Sequence, residues 1–316
     1  MPATRRWRPG RRLHWELLVG AHRRGPGDPT HRRIGTPDRP HWWRATRNTS
    51  GPALVQLTTD ADEVVVRAWG EGAEEALAGV PALLGAADDP TSFRPAHPLV
   101  AEAHRRHPDL RLGRTGAVGE ALFPACLEQV VTGSEAYAAF RTLVTRYGEP
   151  APGPAQQPGT PAYGMRIPPP ARVWATIPSW EYLAAGVEQR RSAPLVAAAR
   201  RGAALERTLG LDSAAADRAL RSLPRIGPWT SAETRQRAHG DADAWSIGDY
   251  HVGDAITFAL RGEKLGDQVA LELLEPYRGH RFRVQVLVLT GAGLPPRRGP
   301  RRTLPSHTPR ATRGRS

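Results

Sequence analysis

The residue types best suited to chemistry lie in the C-terminal half of the chain, around Asp249. This aspartate follows Trp229 by twenty residues and precedes an apolar helical stretch at 255–260. A carboxylate can stabilise developing positive charge and can orient or deprotonate an attacking water. An aspartate directly before a helix is most often the N-terminal cap of that helix, so position alone favours capping.

The segment before Asp249 has the pattern of two helices joined by a tight hairpin. The first helix ends at Pro224, the hairpin contains Gly227, and the second helix begins at Thr230 or Ser231. The backbone amides of such a hairpin point outward together with the positive end of the second helix, which suits a DNA phosphate. An ordinary pair of antiparallel helices is the alternative interpretation of this pattern.

Segment Leu223–Val252 resembles the signature of the helix-hairpin-helix DNA glycosylases. It is most similar to the branch that contains 3-methyladenine DNA glycosylase II, which removes alkylated bases. The residues that match the family's hairpin and aspartate motifs are Leu223, Pro224, Ile226, Gly227, Trp229, Thr230, Asp249 and Tyr250. The likeness extends more weakly over about residues 13–290. It implies an α+β fold, in which a small antiparallel N-terminal α+β domain precedes an all-α helix-hairpin-helix glycosylase domain.

The resemblance also implies roles for individual residues. Asp249 is the implied catalytic carboxylate, acting on a nucleotide whose base has left the stack. Trp229 matches the pocket tryptophan of the family and is the implied base-pocket residue. Tyr250 and Trp245, which are close to Asp249 in sequence, are expected to line the same pocket. The implied contacts to DNA phosphate are Arg225, Ile226, Gly227 and Thr230. Arg225 departs from the family, which has a glycine there, and Trp245 has a place in the hydrophobic core as its alternative role.

The implied activity is that of a monofunctional DNA glycosylase. It hydrolyses the N-glycosidic bond of alkylated purines, such as 3-methyladenine, in duplex DNA during base excision repair. The strand-cleaving branch has a lysine at the position of Trp229, and Lys264 is the only lysine in this chain, so no Schiff base with the sugar is expected. The single cysteine, Cys126, excludes an iron–sulfur cluster held by four cysteines of the chain.

Two other functions stay open at this point. The chain can be a non-catalytic DNA-damage-binding protein of the same fold, or a glycosylase for a different damaged base. In each case the expected partner is double-stranded DNA containing damaged bases, and we expect no cofactor and no metal.

The net charge of +13 is carried by the two ends of the chain. Residues 1–47 hold twelve arginines against three acids, and residues 294–316 hold seven arginines and no acid, while the middle is slightly acidic. Such ends are either solvated tails or surfaces that attract phosphates without reading sequence. No apolar run reaches the ~18 residues of a membrane helix, and no signal-peptide pattern follows the N-terminus. We therefore expect a cytoplasmic monomer that does not bind a membrane.

The order of the sequence patterns divides the chain into four parts. We expect a basic N-terminal extension at 1–12, the small α+β domain at 13–92, the helical domain at 93–293 and a basic, disordered tail at 294–316. Runs rich in Val, Leu and Trp predict the strands 13–21, 41–46, 53–58 and 63–69.

Helical periodicity predicts most of the remainder. One helix carries Phe123, Cys126, Leu127 and Val130 on one face, and a capping box at Thr132–Glu135 opens the next. The other expected helices are 73–84, 179–186, 192–209, 213–222, 231–239, 250–261, 267–274 and 276–290. Eight prolines make 149–170 a loop that crosses the surface. We expect the residue that fills the gap left by a flipped base near Gly148–Pro154.

Overall fold

The first part of the chain forms a twisted five-stranded antiparallel sheet in a computed structural model that describes residues 1–36 and 39–291. The strand order is β1-β5-β4-β3-β2. The strands are Ala3–Trp7 (β1), His31–Gly35 (β2), Pro40–Asn48 (β3), Gly51–Asp60 (β4) and Glu63–Trp69 (β5). Helix α2 (Ala73–Leu83) covers one face of the sheet, because Leu77 and Val80 are buried against Leu57 and Val66.

Our sequence interpretation of the N-terminal end of the chain is wrong. Residues 1–12 do not form an extension outside the sheet, because β1 pairs with β5 from Ala3–Ala68 to Trp7–Val64. The arginines of this end are also paired: Arg6 contacts Asp60 and Glu63. Alternate residues of β1 face the covered side of the sheet. The arginine-rich composition of this segment is therefore that of an edge strand whose Arg6 pairs with acids on β4 and β5.

The expected first strand, 13–21, is also wrong. Its residues form helix α1, Trp15–Leu18, and a 3₁₀ turn at Gly20–His22. Leu18 and Val19 are both buried in the sheet's core with Trp42. Two consecutive residues of a strand point to opposite faces, whereas a helical turn can bury both against one layer.

Within the described residues, thirteen further α-helices follow the sheet. They are α2 (Ala73–Leu83), α3 (Pro98–Arg106), α4 (Val118–Glu128), α5 (Gly133–Tyr147), α6 (Ala171–Trp174), α7 (Ser179–Ala184), α8 (Gln189–Ala199), α9 (Gly202–Glu206), α10 (Ser213–Arg221), α11 (Pro228–Thr234), α12 (Val252–Arg261), α13 (Gly266–Leu274) and α14 (Arg281–Gly291). Helix α11 continues as a π-helical turn at Arg235–His239. One core gathers around α4, α5 and α8, and a second gathers around α3, α12 and α14.

Several helix boundaries follow local rules that the sequence displays. The capping box is present, with the Thr132 side chain and the Glu135 side chain each bonded to the other's backbone amide. Gly240 and Gly262 end their helices in the left-handed conformation, with φ of 70° and 82°. The expected helix 192–209 is broken in two at 200–201, and the last helix begins only at Arg281.

The proline-rich loop 149–170 packs on the sheet rather than merely crossing the surface. Its short strands Glu149–Pro150 (β6) and Arg166–Ile167 (β7) pair with each other, and its alanines and Met165 are buried against Trp43. Gly153 lies so close to Trp69 that a Cβ there would come within 2.6 Å of the ring. Most of the loop is therefore held against protein, although Glu149 and Pro150 are exposed, and a gap-filling residue near Gly148–Pro154 stays a prediction.

The boundary of the two expected domains at residue 92 stays a prediction. The expected tail at 294–316 lies outside the described residues. Within the part of the chain that the structure describes, no helix has the length and apolar character needed to cross a membrane.

Candidate active site

Asp249 lies half-buried in the loop that leads into α12. Its Oδ1 accepts hydrogen bonds from the backbone amides of His251 (2.8 Å) and Val252 (3.1 Å), so the carboxylate does cap the helix. Its Oδ2 accepts a hydrogen bond of 3.1 Å from Nε1 of Trp229. Capping therefore uses one oxygen, while the other faces the helix that follows the hairpin.

The loop before Asp249 brings the carboxylate to Trp229. Gly248 has φ of 84°, which is the left-handed region that favours glycine, and its Cα faces the Trp229 side chain. The Gly248 amide donates to Oδ2 of Asp267 at 2.6 Å. The amide of Asp249 itself donates to the carbonyl of Ser246 at 3.1 Å. The twenty-residue separation seen in the sequence thus closes into a direct side-chain contact.

The hairpin carries a strained residue at the position where the resemblance leads us to expect glycine. Arg225 has φ of 61°, one of three non-glycine residues with positive φ among those the structure describes. An L-residue in this region costs about 1–2 kcal/mol relative to the right-handed conformation. The Arg225 side chain is exposed, so its charge faces solvent on the hairpin surface.

Two of the four expected phosphate contacts are engaged inside the protein. Ile226 is 4% exposed and its amide donates to the Leu223 carbonyl, and Thr230 is 2% exposed with its hydroxyl bonded to Gln129. Gly227 differs, because no atom lies within 4 Å of the place where its Cβ would stand. The open surface of the hairpin therefore consists of Gly227, the exposed side chain of Arg225 and the exposed Pro228 at the start of α11.

The two other expected pocket aromatics differ in their exposure. Trp245 is 5% exposed and packs with Val252 and Ile256, so it belongs to the hydrophobic core. Tyr250 is 73% exposed, and its ring stands edge-on against His251. Trp245 is therefore a supporting residue, whereas Tyr250 presents an aromatic ring to solvent beside the carboxylate.

Sequence reasoning missed Gln129 and Val130, which end α4 beside the hairpin. Nε2 of Gln129 donates to the Arg225 carbonyl (3.2 Å) and to Thr230 Oγ1 (2.9 Å), which fixes the hairpin to α4. Val130 does not lie on the buried face of α4, as its spacing predicted; it is 67% exposed with φ of 55°. The sequence did contain a signal for the end of α4 before Val130. The capping box that begins two residues later marks the start of a new helix.

A pocket between the sheet and the helices is not part of this site. A cavity of about 290 Å³ is lined by Ala45, Phe123, Trp174 and Glu206, among others, and none of the expected site residues lines it. The candidate site is instead an open surface formed by the hairpin, Asp249, Tyr250 and Val130. An open surface of this kind suits a large ligand more than a small one.

Comparisons with known proteins give the fold a name. No family model and no curated protein matches the sequence. A 3-methyladenine DNA glycosylase from Archaeoglobus fulgidus superposes with a TM-score of 0.69 at 17% identity, covering 90% of this chain and 97% of its own. An 8-oxoguanine glycosylase/lyase from Clostridium acetobutylicum, solved with double-stranded DNA, gives 0.64 at 11% identity, covering 91% and 96%.

The chain has the fold of the helix-hairpin-helix DNA glycosylases. The expected fold class, a small antiparallel α+β part followed by helices, is confirmed. In the glycosylase fold of this chain, the hairpin 223–230 and Asp249 come together as the resemblance implied. The two neighbours act on different bases by their names, so the likeness assigns no substrate.

Proposed function

We propose that this chain is a DNA glycosylase that uses Asp249 to hydrolyse the N-glycosidic bond of a damaged base in duplex DNA. The observation that carries the proposal is the Trp229–Asp249 contact behind an exposed hairpin. A carboxylate that served only as a helix cap needs one oxygen, whereas Asp249 has a second oxygen held by an indole on the neighbouring helix. The glycosylase fold of the chain supports the same conclusion.

The chemistry requires stabilisation of positive charge at the sugar. As the base leaves, C1′ acquires the character of an oxocarbenium ion, and a nearby carboxylate stabilises that charge. The same carboxylate orients the attacking water and can take its proton. Hydrogen bonds from Trp229, His251 and Val252 hold the carboxylate in place before DNA binds, so little reorganisation accompanies the reaction.

We further propose that the enzyme is monofunctional. Strand cleavage through a Schiff base needs an amine near C1′, and the residue that touches the carboxylate is Trp229, whose indole nitrogen cannot serve. Lys264, the only lysine, follows the end of α12 at Arg261. The chain turns back after α12, since Asp267 accepts a hydrogen bond from the Gly248 amide, so the proposal rests on the indole at Trp229 and not on the distance to Lys264.

Alkylated purines are the proposed substrates. An alkylated purine carries positive charge and has an already weakened glycosidic bond, so a single carboxylate suffices to assist its departure. The exposed ring of Tyr250 offers a face on which such a base can stack, and cation–π attraction is worth about 0.5–2 kcal/mol. Release of labelled bases from methylated, oxidised and deaminated duplexes tests the assignment. Release of oxidised or deaminated bases alone would contradict it, and release of none would favour a damage-binding protein.

We propose that Val130 occupies the gap that a flipped base leaves in the helix. Its apolar side chain is 67% exposed, and the preceding residue, Gln129, bonds the hairpin at Arg225 and Thr230. Apolar side chains inserted between base steps stabilise unstacked DNA. Val130→Ala should lower excision from a normal base pair more than from a mismatched pair, because a mismatched base unstacks at less cost. Equal losses on both duplexes would contradict this role.

A further inference from the structure

The loop that carries Asp249 is held by a buried polar network outside the site described above. Ser246, three residues before Asp249, is fully buried. Its hydroxyl donates to Oε1 of Glu233 at 2.5 Å and accepts from Nε2 of Gln236 at 2.9 Å. Its backbone amide donates to Oε1 of Gln285 at 3.1 Å, and its carbonyl accepts the amide of Asp249.

Glu233 is the charged member of this network. It is 7% exposed, and its second oxygen, Oε2, pairs with the guanidinium of Arg237 one helical turn further on. Burial lowers the pKa of Arg237, but the carboxylates of Glu233 and Glu128 and the nearby Tyr137 together outweigh burial, and the pKa is raised. The pair is therefore an ion pair inside the protein, with one of its oxygens committed to the Asp249 loop.

Glu233 and Trp229 are four residues apart, so they lie on one face of the same helical segment. Trp229 bonds the Asp249 side chain, and Glu233 bonds Ser246 at the start of the same turn. The loop is thus attached to α11 at two points, one at each end of the stretch 246–249. A loop without regular structure has no backbone ladder to fix it, so its position depends on side-chain bonds such as these two and those to Gln285 and Asp267.

We propose that Glu233 is a positioning residue that places the Asp249 carboxylate through Ser246. The proposal rests on the proposed glycosylase activity for its kinetic consequence, whereas its structural part can be measured without that activity. Loss of the Glu233–Ser246 bond should let the turn 246–249 shift, which weakens the Trp229–Asp249 contact. A shift of about 1 Å in a catalytic group can lower a rate by roughly 100-fold, so the expected loss is about 10- to 100-fold.

The direct test is the indole N–H resonance of Trp229 in protein labelled with ¹⁵N only at its nine tryptophans. Trp229→Phe assigns the resonance, and Asp249→Asn gives its position when the carboxylate bond is altered. In Ser246→Ala we expect the resonance to move toward the Asp249→Asn value, and single-turnover excision to fall about 10- to 100-fold with DNA affinity within about twofold. An unmoved resonance in Ser246→Ala would overturn the proposal.

Ser231→Ala is the matched control. Ser231 is also fully buried, and its hydroxyl donates to a carboxylate, Asp217, at 2.7 Å, but that carboxylate is on α10 and not in the Asp249 loop. We expect the Trp229 resonance and the excision rate of this variant to stay at the wild-type values. An equal effect of Ser231→Ala would show a general loss of packing and would overturn the positioning role.

A double variant keeps the proposal testable if Ser246→Ala does not fold. Glu233→Met with Arg237→Met removes the acceptor of the Ser246 hydroxyl without leaving a buried charge, and apolar replacement of a buried ion pair is often neutral for stability. The proposal expects a moved Trp229 resonance and slower excision in this folded protein. Wild-type values for both would mean that the ion pair serves stability alone. If the wild-type protein excises no base, the proposed activity fails while the resonance still decides the positioning role.

Discussion

Replacing Asp249 by asparagine separates the two roles that the structure gives this carboxylate. The Asn side chain keeps an oxygen for the amides of His251 and Val252, and asparagine caps helices about as well as aspartate. The substituted amide nitrogen then faces Nε1 of Trp229, and two donors cannot bond each other. The variant therefore loses one hydrogen bond, worth about 1 kcal/mol net, and the negative charge.

These losses differ greatly in their expected consequences. About 1 kcal/mol lowers the melting temperature by roughly 2–4 °C in a protein of this size class. Removing the charge that faces the developing oxocarbenium ion should lower the single-turnover excision rate by about 10²–10³-fold or more. We expect binding to duplex DNA to change little, because phosphate contacts supply most of that affinity.

The assay is single-turnover release of a methylated purine, run beside thermal unfolding and duplex binding. Asp254→Asn is the matched control, since Asp254 lies five residues further on and accepts the Gly266 amide with an oxygen that asparagine retains. A rate for Asp249→Asn within tenfold of wild type would refute the catalytic assignment. Unfolding of the variant, with Asp254→Asn intact, would show that capping is the main role.

Three further predictions follow from the hairpin, the lysine content and the buried histidines. Arg225→Gly should raise the free energy of unfolding by about 0.5–1 kcal/mol, measured in urea, because relief of positive φ exceeds the entropy cost of glycine; lower stability would contradict the strain. Borohydride should trap no adduct with lesion-containing DNA, and an adduct mapped to Lys264 would overturn the monofunctional assignment. Burial and then the nearby Arg44 hold the pKa of His22 and of His31 well below the usual value. Below pH ~6.5 the unfolded chain therefore protonates these two histidines while the folded chain keeps them neutral. Their contribution to the free energy of unfolding is fully present above that pH and falls below it by up to about 1.4 kcal/mol per pH unit for each histidine. A free energy of unfolding that is flat from pH 7.5 to 5.5 would contradict this.

The helical part was predictable where short local signals decide the structure. Thr132 and Glu135 form their capping box whatever lies around them, and the glycines at 240 and 262 end helices because only they adopt the left-handed conformation at little cost. The Asp249 motif was likewise found because its residues match a family pattern at a fixed spacing.

The errors arose where tertiary contacts override local composition. The N-terminal arginines gave the appearance of a tail, but Arg6 and Arg8 pair with acids at the β4–β5 turn, a contact that no local pattern reveals. Val130 has helical spacing, yet the chain reverses there and exposes it. Trp245 is near Asp249 in sequence, but its large apolar ring is buried in the hydrophobic core with Val252 and Ile256.

The central claim is that Asp249 stabilises positive charge at the sugar, and one binding measurement tests it most directly. The measurement compares two duplexes, one with a neutral tetrahydrofuran abasic site and one with a pyrrolidine whose protonated nitrogen replaces C1′. Transition-state analogues bind at least about 10²-fold more tightly than ground-state ligands. We predict at least that preference for the cationic duplex in the wild-type protein and its loss in Asp249→Asn. Equal affinity of the wild-type protein for the two duplexes, or an undiminished preference in Asp249→Asn, would contradict the account.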